Sequence, residues 1–171
     1  KNPDNVIAVN VVSDSDNRNV ARSARQGKRF LEMAAQAASG SGMTLKTVSR
    51  YSADVATGVI HTAKEQEATT IILGIHRKLT AADSHSGPYS EAFLSRLHRE
   101  VVMIKMLMPF NTLRRIVVAV PPKAQFEPGF SKWMNHVLKV GRTLGCQIHF
   151  HCSHETAMFV RLIVDRQGYS D

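Results

Sequence analysis

The sequence predicts an α/β fold, an open parallel sheet with helices on both faces, and three observations carry that prediction. Ser52 to His76 (SADVATGVIHTAKEQEATTIILGIH) joins an amphipathic helical stretch directly to a β-branched run that stops at Gly74, the repeating unit of a parallel sheet. Short apolar runs of strand length alternate with helical periodicity along the whole chain. The pattern then begins again after Pro109 to Leu113, which predicts two partial tandem copies, 1–109 and 110–171.

The elements follow in order. Val6 to Val12 is an apolar run closed by the turn-rich SDSDN, hence a buried strand. From Asn19 to Ser39, Val20, Ala24, Phe30, Leu31, Ala34, Ala35 and Ala38 recur at threes and fours, and Gly40 with Gly42 ends the helix. Met43 to Ser49 is a second strand with Met43, Leu45 and Thr47 on one face. Ser52 is placed to cap a helix over Ala53–Glu67, with Val55, Val59, Ile60 and Ala63 as its apolar stripe. Thr69 to Leu73 is the third strand. Pro88 suits the first turn of a helix reaching Arg99, and Val101 to Met106 is the fourth strand. In the second copy Arg115 to Val120 is a strand. Phe130 to Leu144 is a helix, with Trp133, Val137, Leu138 and Val140 toward the core and Gly145 as its stop. Gln147 to Cys152 is a strand, and Glu155 to Val164 a helix.

Composition bounds the function classes. Of 171 residues 43% are apolar, enough for a packed core, while no run approaches the roughly 20 apolar residues of a membrane span. No signal-peptide pattern opens the chain, so this stretch reads as soluble. The 22 Lys and Arg against 14 Asp and Glu leave a net charge of +8. Arg18, Arg22, Arg25, Lys28 and Arg29, like Arg96 and Arg99, recur at helical spacing and read as solvated helix faces. No groove-reading motif accompanies them, so nucleic acid is not the expected partner; the charge also suits proximity to an acidic membrane surface. Cys146 and Cys152 stand six residues apart in an extended stretch, about 20 Å at strand rise, and read as reduced cytosolic thiols.

The two copies overlay: Ile7 to Val12 matches Ile148 to Ser153 at an offset of 141 residues, one domain length. On that overlay Arg115 to Val120 has a counterpart expected before Lys1, and the second copy is expected to continue past Asp171. The first copy then lacks a central strand, which Arg115 to Val120 is free to supply within the chain or by exchange between chains.

With this order of strand, helix, Gly-ended strand, loop, helix and strand, and with the SADVATGVIHTAKEQEATTIILG segment, the chain resembles the universal stress protein superfamily, an adenine nucleotide alpha hydrolase-like fold. That family's parallel sheet has the strand order 3-2-1-4-5. The tandem arrangement and LHREVVMIKMLMPFNTLRRIVVAV resemble the cytosolic tail of bacterial monovalent cation/proton (Na+/H+) antiporters. The resemblance implies a regulatory or assembly domain on the cytoplasmic side of the inner membrane, partnered by the antiporter's membrane domain in the same polypeptide and by a second copy as a homodimer. A free-standing tandem universal stress protein that binds ATP is the alternative.

The family's ATP binders carry a phosphate loop of spaced glycines, and its frame falls here on Gly74, Arg77, Gly87 and Pro88. Gly74 and Gly87 keep the glycines that let backbone approach a phosphate. Arg77 and Lys78 offer charge instead, and Tyr89 and Ser90 still offer N–H groups after Pro88 removes one. The candidate ligand site is therefore Gly74, Arg77, Lys78, Gly87, Tyr89 and Ser90, for ATP, another adenine nucleotide or a small anion.

No catalytic residue emerges. Ser95, His98 and Glu100 lie along one stretch, whereas a triad meets through the fold, and the chain reads as no enzyme. His149 and His151 share a strand face with Cys152 opposite, so no metal is expected. Asp14 and Asp16 are followed by Arg18, which suits a turn and helix cap rather than a cation loop. Met103, Met106 and Met108 read as core or domain-interface packing.

Overall fold

The apolar run Val6–Ser13 forms strand β1 and pairs in parallel with β2, Leu45–Ser52, in unbroken register from Val6↔Leu45 to Ser13↔Ser52. Helix α1, Val20–Gly40, connects them. The computed structural model describes residues 5–14, 20–74, 93, 95, 96 and 99–169. The chain is α/β and divides into two units, Lys1–Met103 and Ile104–Asp171.

In the first unit, α1 closes with paired backbone bonds, Gly42 N to Ser39 O and Met43 N to Ala38 O, around Gly42 at φ +72°. Those bonds take the Met43 amide, so β2 begins at Leu45 and not at Met43, and it runs on to Ser52 because β1 runs on to Ser13. Arg22, Arg25, Lys28 and Arg29 lie on the exposed face of α1, as their spacing predicts. Phe30 does not join the buried stripe and is 59% exposed; Gly27 takes the closest approach, against Asn10 of β1.

Helix α2, Val55–Glu65, is capped by Asp54 and not by Ser52, which closes β2 instead. Ala56, Ile60 and Ala63 pack with Ile71 and Phe93 into a core, flanked by Leu73 and Val101. Gly58 lies against Val11 of β1, so α2 reaches both β1 and the next strand, β3, Thr70–Gly74. Arg50 donates to both Glu65 carboxylate oxygens, at 2.6 and 2.7 Å, and Lys46 donates to Gln66 at 2.7 Å, tying β2 to the end of α2. β3 pairs with β4, Glu100–Ile104. Met106 and Met108 lie past the end of β4 and are exposed, so neither joins a core.

In the second unit β5, Arg115–Ala119, pairs in parallel with β6, Gln147–His151. Helix α3, Phe130–Leu144, joins them, and α4, His154–Arg166, follows. Phe130, Met134 and Leu138 of α3 meet Val160 and Ile163 of α4 in one core. Met134 is 0% exposed, whereas Val140, expected inward, is 47% exposed. The 3.6-residue period puts Met134, Leu138 and Gly141 on one stripe and turns Val140 off it.

Among the described residues the strands form three two-stranded sheets, β1–β2, β3–β4 and β5–β6, where each copy was expected to hold one sheet. Arg115 to Val120 has its parallel partner inside the second unit: β5 pairs with β6, and Val120 N donates to His151 O at 2.8 Å beyond the strand end.

Candidate functional site

Parallel pairing gathers strand carboxyl ends and helix amino ends on one side of a sheet, where ligands of such folds sit. In the first unit that end is built from Ser13, Ala53, Asp54, Thr57 and Arg96. Ser13, buried at the end of β1, donates from Oγ to Ala53 O at 3.0 Å and so pins the β2–α2 turn to β1. Asp54 Oδ1 accepts from Thr57 N at 2.8 Å, and Oδ2 accepts from Thr57 Oγ1 at 2.7 Å. Arg96 donates from its guanidinium to Thr57 Oγ1 at 3.2 Å. The Thr57 amide, then its hydroxyl, and with them the Arg96 charge, hold the Asp54 carboxyl below its usual range.

The amino end of α2 is thus satisfied by its own carboxylate and is no vacant anion seat. Arg96 is exposed at the same end. Gly74 closes β3. Of the other residues expected at the ligand site, Arg77, Lys78, Gly87, Tyr89 and Ser90 lie outside the described residues, as do Pro88 and His98. The Asp54–Thr57–Arg96 chain is absent from the sequence reading. Its signal was the spacing of Asp54 and Thr57, which suits a cap whose acceptor serves the third residue on.

The second unit has a different opening, a cleft of about 620 Å³ along β6 and α4. That volume falls within the roughly 300–1,000 Å³ of small-molecule sites. Ile148, Phe150 and Val160 give it an apolar floor, and Arg161 also lines it. Cys146 and Cys152, both free thiols, line it as well. The Cys146 thiol donates to Leu113 O at 3.4 Å. Tyr169 donates from its hydroxyl to Leu138 O.

Above the carboxyl end of β6, Ser153 caps α4 and its hydroxyl lies 2.8 Å from that of Thr156. Thr156, 0% exposed, donates to Gln125 Oε1 at 2.9 Å. His149 and His151 stand on the exposed face of β6, with Ile148 and Phe150 on the other. Among the described residues no three His, Cys, Asp or Glu side chains are grouped to hold a metal ion, and no helix is long and apolar enough to cross a membrane.

The chain matches no protein-family model and no curated protein.

Proposed function

We propose that this chain is a universal-stress-like regulatory and assembly module, not an enzyme, acting on the cytoplasmic side of a monovalent cation/proton antiporter. One observation carries the fold part of this reading. The first unit keeps β2 beside β1 and β3 beside β4, with no described strand joining the pairs. These pairs are compatible with the family's 3-2-1-4-5 order read with its central place open, and the parallel β5–β6 pair suits the opening strands of a second copy. The antiporter part rests on the resemblance of the Leu97 to Val120 segment and on the basic charge.

The ligand reading places a nucleotide or small anion beyond Gly74, with Arg77, Lys78, Gly87, Tyr89 and Ser90 as its contacts. Arg96 supports it by adding a cation at the same end of the unit, already oriented by Thr57. A ligand bound there regulates transport only by binding two transporter states unequally.

The test is isothermal titration with ATP, AMP, cyclic dinucleotides and NAD, repeated on Gly87→Val. Micromolar binding that the substitution abolishes supports a ligand-sensing module. Absence across the panel on a folded sample removes the ligand reading and leaves assembly. Binding and hydrolysis of ATP by a parent polypeptide without membrane spans favours the free-standing stress protein and overturns the antiporter assignment.

A further inference from the structure

Between β4 and β5 the residues from Lys105 to Thr112 are exposed without a break, and four of them are large and apolar: Met106, Leu107, Met108 and Phe110. Leu107 is 83% exposed, more than any other large apolar residue among those described. One such side chain standing alone is ordinary. Four of them from Met106 to Phe110 form the kind of patch that marks an interaction site.

The patch is presented on a fastened turn. Thr112 donates to Pro109 O from its amide at 3.1 Å and from its hydroxyl at 2.7 Å, and Leu113 N donates to Phe110 O at 3.1 Å. Leu113 O then accepts the Cys146 thiol at 3.4 Å, and Arg114 O accepts Gln147 N at 3.1 Å, which ties the turn to the start of β6. A turn already ordered in this way loses little freedom when its tip is covered.

The charges around the tip select what covers it. No Asp or Glu occurs between Glu100 and Glu127, while Lys105 stands just before the tip and Arg114 and Arg115 follow it, all three exposed. A second copy would set the same cations against these, which repels. An apolar tip inside a rim of positive charge matches an anionic bilayer, whose headgroups attract Lys and Arg and whose acyl boundary takes up apolar side chains. We propose that this turn is a membrane-surface anchor. Met106, Leu107, Met108 and Phe110 enter the acyl boundary of an anionic leaflet, and Lys105, Arg114 and Arg115 stay among its headgroups. The inference depends neither on the ligand site nor on the antiporter assignment.

The test is sedimentation of the full chain with vesicles of phosphatidylcholine, alone or mixed with phosphatidylglycerol. Wild type is expected to partition onto the anionic vesicles and to lose that partition as salt is raised. Leu107→Asp, at a site too exposed to disturb folding, is expected to cut the partition at least about tenfold by removing a leucine's burial and adding repulsion. Lys105→Gln with Arg114→Gln should cut it about 25-fold, at roughly fivefold for each cation. Leu107→Trp should gain a blue-shifted emission on anionic vesicles that wild type lacks. No partition onto anionic vesicles, or an unchanged partition of Leu107→Asp, overturns the proposal. An equal loss from Arg22→Gln with Arg25→Gln in α1 also overturns it, by assigning the attraction to net charge. So does a concentration-dependent dimer of wild type without lipid that Leu107→Asp abolishes, which assigns the tip to a second copy.

Discussion

Gly27 of α1 lies directly over Asn10 of β1: a β-carbon at Gly27 falls 1.9 Å from Asn10 Nδ2 and 2.3 Å from its Cγ. Asn10 Nδ2 is buried without a hydrogen-bond partner, so the close approach is made over a polar group with no compensating bond. Gly27→Ala should destabilise the first unit by about 1–3 kcal/mol through overpacking. In an Asn10→Ala background the same change should be neutral or stabilising by up to about 1 kcal/mol, the helix preference of alanine over glycine. A double-mutant cycle in urea checks this, and additive effects would refute the contact as the cause.

Glu67 ends α2 in the left-handed region, at φ +49°. Ala68 N bonds to Ala63 O at 2.9 Å and Glu67 N to Lys64 O at 3.2 Å, the closing pair that Gly145 makes for α3 at φ +63°. Glu67→Gly should stabilise by about 0.5–1 kcal/mol, the left-handed penalty less the added freedom of the unfolded chain. Gly145→Ala should destabilise by about 1 kcal/mol. Thermal melts of both variants test the pair.

Asp54 gives the first unit an acid dependence of known sign. Its folded carboxyl titrates below the ordinary 3.8, chiefly because the Thr57 amide donates to it. A depressed carboxylate contributes stability that is complete above the unfolded value and is lost as pH falls through the folded one. Asp54→Asn keeps an acceptor and removes the titration. The difference in stability between it and wild type should therefore shrink below pH about 4, and a difference that does not change between neutral and acid pH would refute the assignment.

Burial in α3 separates two residues that look alike in sequence. Met134→Ala should cost about 2–5 kcal/mol, because a fully enclosed side chain leaves a cavity. Val140→Ser should change stability by less than about 0.5 kcal/mol, as surface substitutions do. Denaturant midpoints of the two variants decide it.

Thr156 joins the cap of α4 to the Ala124–Phe126 turn through Gln125. Gln125 Nε2 is already without a partner, so Thr156→Val leaves both ends of that amide unsatisfied. A loss of about 1–3 kcal/mol is expected, and Thr156→Ser should recover most of it.

The alternation of strands and helices was legible because apolar runs and glycine stops are local signals. The bounds of Phe130–Leu144, with Gly145 behind it, were readable to the residue, since the left-handed stop is a local signal, whereas its stripe was misread at Val140 and Met134. What was not legible depended on partners. The cap of α2 fell on Asp54 because β2 keeps pairing with β1 through Ser52. The extent of β2 (LKTVSRYS) is set by the length of β1 and has little apolar alternation of its own. The division into three small sheets is a matter of which edges meet, information that no window of one sequence holds. The Asp54–Thr57–Arg96 chain likewise spans 39 residues at its long step.

Tyr169 reaches back 31 residues to donate to Leu138 O, stacks under the Arg142 guanidinium at 4.7 Å, and Arg142 in turn donates to Gln167 O at 2.6 Å. The last turn of α3 is therefore held by residues made after α4. During synthesis α3 leaves the ribosome well before its fastening does, so the second unit acquires its final closure only when Tyr169 emerges. A translation stop placed before Tyr169 would release a chain with α3 present and its far end unlatched.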